Sequence, residues 1–205
     1  PHFLFISLCL APLACKKRVV WDTQAPLHDF INHELLDAAG VKNIGAPSYQ
    51  YDDELKPFLQ QFLDDAKKYK VDIPAEKVLE LRQMIYVDQL SSTSHPGVMA
   101  ACNRYRATQA TVSGNRPLKW MVIEVLQEAV THYAGTGKSR LILLREVMYH
   151  ELFHCLMSKG HLPQGVSGIM SATFRRGDNR AHSQWDKLVT EMFSPEQMDI
   201  IPNVE

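Results

Sequence analysis

Apolar residues fall into a few stretches of clear period. Leu55, Phe58, Leu59, Phe62, Leu63 and Ala66 recur every three or four positions, the spacing that stacks side chains on one face of a helix. A helix is expected from Asp52-Asp53-Glu54 to about Lys70, its acidic residues in the first turn where the helix dipole favours negative charge. Leu79, Leu81, Ile85 and Val87 alternate, so residues 78–87 read as a strand. Residues 91–97 read as a loop, 97–105 as a second strand, and 119–125 as a third, carrying Trp120, Met121, Val122, Ile123 and Val125. A short helix is expected over 27–39, and a closing helix over 181–193 with Trp185, Leu188, Val189 and Met192 inward. Between the strands and the closing helix, residues 141–149 form an apolar run that predicts one more helix, continuing into His150.

This succession of a helix, several strands and two further helices describes an α+β chain. Its 205 residues suit one domain with a leader: 1–15 as leader, 16–50 as linker and N-terminal segment, and 51–205 as the folded domain. An apolar content of 45% is ordinary for a chain with a real core. The 22 basic and 23 acidic residues are interspersed, with a net charge of −1, and form no basic stripe that would ask for nucleic acid.

Charge and composition matter most at the start of the chain. The apolar run from Phe3 to Ala14 is shorter than the roughly 20 residues needed to span a bilayer, and has the length of a signal-peptide core. Since the sequence begins at Pro1, it is expected to lack the basic first residues of such a leader. Leu13-Ala14-Cys15 followed by Lys16-Lys17-Arg18 resembles a bacterial lipobox, which implies export and a lipidated Cys15. The protein is then expected at a bacterial cell surface or in a periplasm, attached to a membrane through Cys15. A buried N-terminal strand is the competing reading of the same run.

The chemistry concentrates at His150-Glu151-Leu152-Phe153-His154. On a helix, residues four apart share a face, so His150 and His154 can aim two imidazoles at one metal ion. Glu151 reaches the same side, where a carboxylate can act on a water beside the metal. Catalytic zinc takes three protein ligands and leaves one position open, so one more donor is needed. His161 follows Lys159-Gly160, a cation and a glycine suited to ending a helix and turning the chain back. Gly168-Ile169-Met170-Ser171 comes after a loop containing Pro163 and Gly165.

HExxH, a later His161 and a Met170 in a turn together resemble the metzincin clan of zinc metallopeptidases, whose pattern is HExxHxxGxxH followed by a Met-turn. The chain departs from that pattern in two ways: Met157 stands where the clan has Gly, and the third His comes one residue late. The whole run HELFHCLMSKGH is similar to small secreted bacterial metallopeptidases with a Cys after the second His and a Gly-His third ligand. The resemblance implies a small, mostly N-terminal sheet with a long backing helix, an active-site helix and a C-terminal helix. It implies one zinc ion on His150, His154 and His161, with Glu151 as general base and Met170 packed beneath the metal. The implied activity is hydrolysis of peptide bonds in a peptide or protein substrate.

Other readings compete. An exported zinc-binding or adhesion protein could carry a non-catalytic site, although structural zinc usually has four protein ligands, often Cys. His182 and Glu191 are rival third donors. With Cys9 and Cys15 in the leader, Cys102 and Cys155 are left either to pair in an oxidising compartment or to stay as buried thiols. Gly135-Thr136-Gly137-Lys138-Ser139 ends like a phosphate-binding loop, but His132 occupies the position of that motif's first glycine, so the segment reads as a connector. Arg176-Gly177-Asp178 and His33-Glu34-Leu35-Leu36-Asp37 are short coincidental matches.

Overall fold

The computed structural model describes residues 18–20, 27–30, 47–91, 97–107, 119–134, 137–175 and 183–204. The elements in chain order are β1 (Arg18–Val20), β2 (Leu27–Phe30), β3 (Gln50–Tyr51), α1 (Lys56–Lys68), α2 (Ala75–Glu80), β4 (Leu81–Val87), β5 (Ala100–Ala107), β6 (Lys119–Leu126), α3 (Gln127–Ala134), α4 (Lys138–Met157), β7 (Thr173–Arg175), α5 (Trp185–Met192) and α6 (Pro195–Ile200). The chain is mixed α+β.

Five strands form one sheet in the order β2-β5-β6-β4-β3. β5 and β6 are antiparallel, and the other neighbours are parallel. β6 lies at the centre and is buried along nearly its whole length. Its near-continuous apolar run is what a strand covered on both faces requires. In β4 the register shifts between Leu81 and Gln83, a bulge that inserts one extra residue against β6. That insertion lets Leu81 and Met84, three apart, both reach full burial in the core. β1 and β7 form a separate antiparallel pair.

α4 is the axis of the core. From Val147 to Leu156 every residue is buried, so this helix has no solvent face along its second half. α1 packs on α4 through Phe58, Phe62 and Ala66, and the Phe62 ring meets the Tyr149 ring edge-on at 5.4 Å. The Tyr149 hydroxyl, whose ring is buried, donates to Asp65 at 2.7 Å. β5 holds α4 from the sheet side by a disulfide between Cys102 and Cys155, with Cα atoms 5.7 Å apart.

The structure departs from several expectations. Residues 27–30, expected to open a helix, form a strand against the edge of β5; the free ladder of that edge outweighs the local helical pattern. The rest of the expected helix lies outside the described residues, as do His33 to Asp37, Cys15 and the whole of 1–17. Within the 16–50 linker and N-terminal segment, residues 18–20 and 27–30 form β1 and β2. The first three residues of the expected strand at 78–87 belong to helix α2, which starts directly after Pro74, and the remaining seven form β4. Leu79, read as part of an alternating face, is 61% exposed there. α1 starts at Lys56 with Pro57 in its first turn, so Asp52 and Glu54 precede it. Asp52 accepts from the Tyr86 backbone N–H at 2.7 Å, and Glu54 binds the Arg140 guanidinium at 2.7 Å, tying β4 and α4 to this corner. Helices α3 and α6 had no counterpart in the periodicity. No helix among the described residues is long and apolar enough to cross a membrane.

Candidate metal centre

α4 presents His150 and His154 one turn apart, with ring centroids 4.5 Å from each other. The helix ends at Met157, and Ser158 turns the chain with φ 53° and ψ 39°. The left-handed turn expected of Gly160 is therefore made by Ser158, two residues earlier. Gly160 answers a different need. A Cβ there would lie 3.1 Å from Pro202 Cγ and 3.2 Å from Val204 Cγ1, and the Gly160 N–H donates to the Pro202 carbonyl at 2.7 Å. The glycine permits a close backbone approach. The chain then returns His161 to the helix.

The three Nε2 atoms face one another: 2.9 Å between His150 and His154, 2.8 Å between His150 and His161, and 3.1 Å between His154 and His161. The His150 Nδ1–H donates to the Ile169 carbonyl at 2.7 Å, and the His154 Nδ1–H to the Lys159 carbonyl at 2.6 Å. Carbonyls only accept, so both rings carry their proton on Nδ1 and point a bare Nε2 lone pair inward. All three rings are buried. Burial, with help from the neighbouring imidazoles, holds His150 well below its ordinary pKa and His161 down at about 3. Burial above all, with the nearby Arg104 charge adding to it, lowers His154 to about 4. At neutral pH no proton therefore lies between His150 and His154, and their facing lone pairs repel.

A cation removes that repulsion. From three nitrogens spaced this way, a point about 2 Å from each, the usual zinc–nitrogen distance, stands about 1 Å off their plane. The donor set thus fits a metal ion. Among the described residues, these three are the donors that converge in this way.

Glu151 is buried on α4 and is not one of the converging donors. Met170 is fully buried in the turn 168–171, which is closed by the Ser171 N–H on the Gly168 carbonyl at 3.2 Å. The Leu162 N–H donates to the Met170 carbonyl at 2.8 Å, so the turn braces the residue after His161 while its Ile169 carbonyl orients His150. Glu191 lies on α5, 3.7 Å from Lys187, and is outside the cluster. His182 lies outside the described residues.

Three supports of the site leave little or no mark in the sequence. The Ile169 and Lys159 carbonyls belong to the backbone and have no side-chain signature. The third, Arg104, is two residues from Cys102 on β5 and so shares its face of the strand. Its buried guanidinium donates to the His154 carbonyl and, at 3.3 Å, to the Val204 carbonyl. A cation at the C-terminal end of α4 also complements the helix dipole. An arginine in a strand beside buried residues was the one available signal. No protein-family profile, no curated protein and no solved structure matches this chain.

Proposed function

We propose that the chain is a zinc-dependent metalloendopeptidase of metzincin-like type. The observation that carries this is the convergence of three buried, neutral imidazoles on one point, with the Nε2 lone pairs of His150 and His154 both directed inward. His150, His154 and His161 would hold the ion. Zinc, when bound, would polarise a peptide carbonyl and lower the pKa of a water toward about 7. Glu151, next to the first ligand and itself outside the ligand set, takes the proton of the attacking water and hands it to the leaving amine. The buried surroundings strengthen both interactions by lowering the local dielectric. Export and a lipid anchor at Cys15 belong to the same proposal, and the Cys102–Cys155 disulfide supports an oxidising compartment.

The depth of the site favours one competing function. His161, the most exposed ligand, is 7% accessible, which would also suit a closed, non-catalytic zinc site in a binding or adhesion protein. A mixed library of internally quenched peptides separates the two. Under the peptidase reading, wild type cleaves, a zinc chelator stops cleavage, and Glu151→Gln keeps its zinc while losing several orders of magnitude in rate. Cleavage by Glu151→Gln at the wild-type rate would rule out its assigned role.

A further inference from the structure

We infer that residues 202–204, together with Lys159, are positioning residues of the metal centre, although none of them is among the converging donors. The inference rests on the metal-binding reading above. Between the end of α4 and His161 the chain has only residues 158–160 with which to turn back. This short segment is paired with 202–204 on both sides of Lys159: the Val204 N–H donates to the Ser158 carbonyl at 2.8 Å, and the Gly160 N–H to the Pro202 carbonyl at 2.7 Å. Lys159 and Asn203 form the antiparallel bridge between them.

This ladder holds two parts of the site at once. The Lys159 carbonyl between the two bonds is the acceptor that orients His154, at 2.6 Å. Gly160, at the end of the ladder, fixes where His161 begins. The Lys159 ammonium strengthens the same junction from its other end. It donates to the Met198 carbonyl at 2.8 Å and to the Ile201 carbonyl at 3.4 Å, at the end of α6 just before the 202–204 segment. These carbonyls are among those a helix end leaves without partners, and a cation there is favoured. Arg104 closes the arrangement, since one guanidinium reaches both the His154 carbonyl and the Val204 carbonyl. The ligand helix, the return segment, residues 202–204 and the sheet therefore meet around one histidine. Groups that orient metal-bound histidines typically contribute 10- to 100-fold to affinity.

The test compares zinc dissociation constants, measured by competition with a chromophoric chelator, for wild type, a deletion of 202–204, Gly160→Val, Lys159→Met and Lys159→Arg. Each protein is also loaded with Co(II) for its visible absorption spectrum, and the melting temperature of each zinc-free protein is recorded. We expect the deletion, Gly160→Val and Lys159→Met to bind zinc 10- to 100-fold more weakly with altered Co(II) spectra, and Lys159→Arg to recover most of the loss. Where the deletion or Gly160→Val fails to fold, the Lys159 pair decides. Zinc affinity within twofold of wild type and an unchanged Co(II) spectrum in Lys159→Met and in every variant that folds would overturn the inference while leaving the metal reading intact. A wild-type protein that binds no zinc would overturn the metal reading and this inference with it.

Discussion

At the residue scale, the ligand set follows from two facts about imidazole. A helix stacks residues four apart, and an imidazole with its Nδ1 proton committed to a carbonyl has only a lone pair to offer at Nε2. The cost of this arrangement appears in the pH dependence of the metal-free protein. The three folded imidazoles titrate well below the ordinary value of 6.5, with His154 at about 4 and His161 at about 3. The unfolded chain therefore binds more protons than the folded chain between those values. Stability is complete above about pH 6.5 and is lost as pH falls toward 4 and then 3. Urea midpoints of zinc-free protein should fall from pH 7.5 to pH 5, and His161→Gln should remove about one proton from that slope. An identical slope in wild type and His161→Gln would mean that His161 is not buried neutral. The triad was legible because spacing and donor chemistry sit in the side chains themselves. The carbonyls of Ile169 and Lys159 were illegible, since every residue carries the same carbonyl and only the fold selects which one is used.

At the element scale, α4 owes its position to both ends of its second half. Tyr149 meets α1, and Cys155 joins β5. The disulfide closes a loop with a sequence separation of 53, for which a stabilisation of roughly 2–4 kcal/mol is typical. Replacing both cysteines by alanine should lower the unfolding free energy by about that amount in denaturant titrations, and a loss well under 1 kcal/mol would show that the loop constrains the unfolded chain very little. The end of α4 allows a finer test. Ser158 adopts a left-handed conformation that costs a non-glycine residue about 1 kcal/mol. Ser158→Gly should therefore raise stability by up to about 1 kcal/mol with zinc binding unchanged, and a loss of stability would mean that its side chain matters more than its backbone. Periodicity located α1, β6 and α4, whose patterns are long. It failed at 27–30, where the edge of β5 recruits a strand, and at 78–80, where the helix that opens after Pro74 continues. It also placed the helix-ending turn at Gly160, because a glycine there looks like a C-cap when its actual neighbours, Pro202 and Val204, lie more than forty residues away in sequence.

At the scale of the whole molecule, a mixed sheet and a central helix bring donors from two parts of the chain to one buried point. The α+β class was legible in the order of the elements. The parallel pairings and the two strands drawn from 16–50 were not, because pairing across the sheet leaves no periodic mark in one strand's own sequence. On the proposed function, the buried triad holds a zinc ion on which peptide hydrolysis depends. The most direct test is the initial rate of peptide cleavage as zinc is added back to chelator-stripped full-length protein. The expected result is no cleavage without metal, a linear rise, and a plateau at about one equivalent of zinc, the single ion three imidazoles can hold. A stripped protein that cleaves as fast as one given zinc, or a protein that cleaves no peptide at any zinc level, would contradict that function.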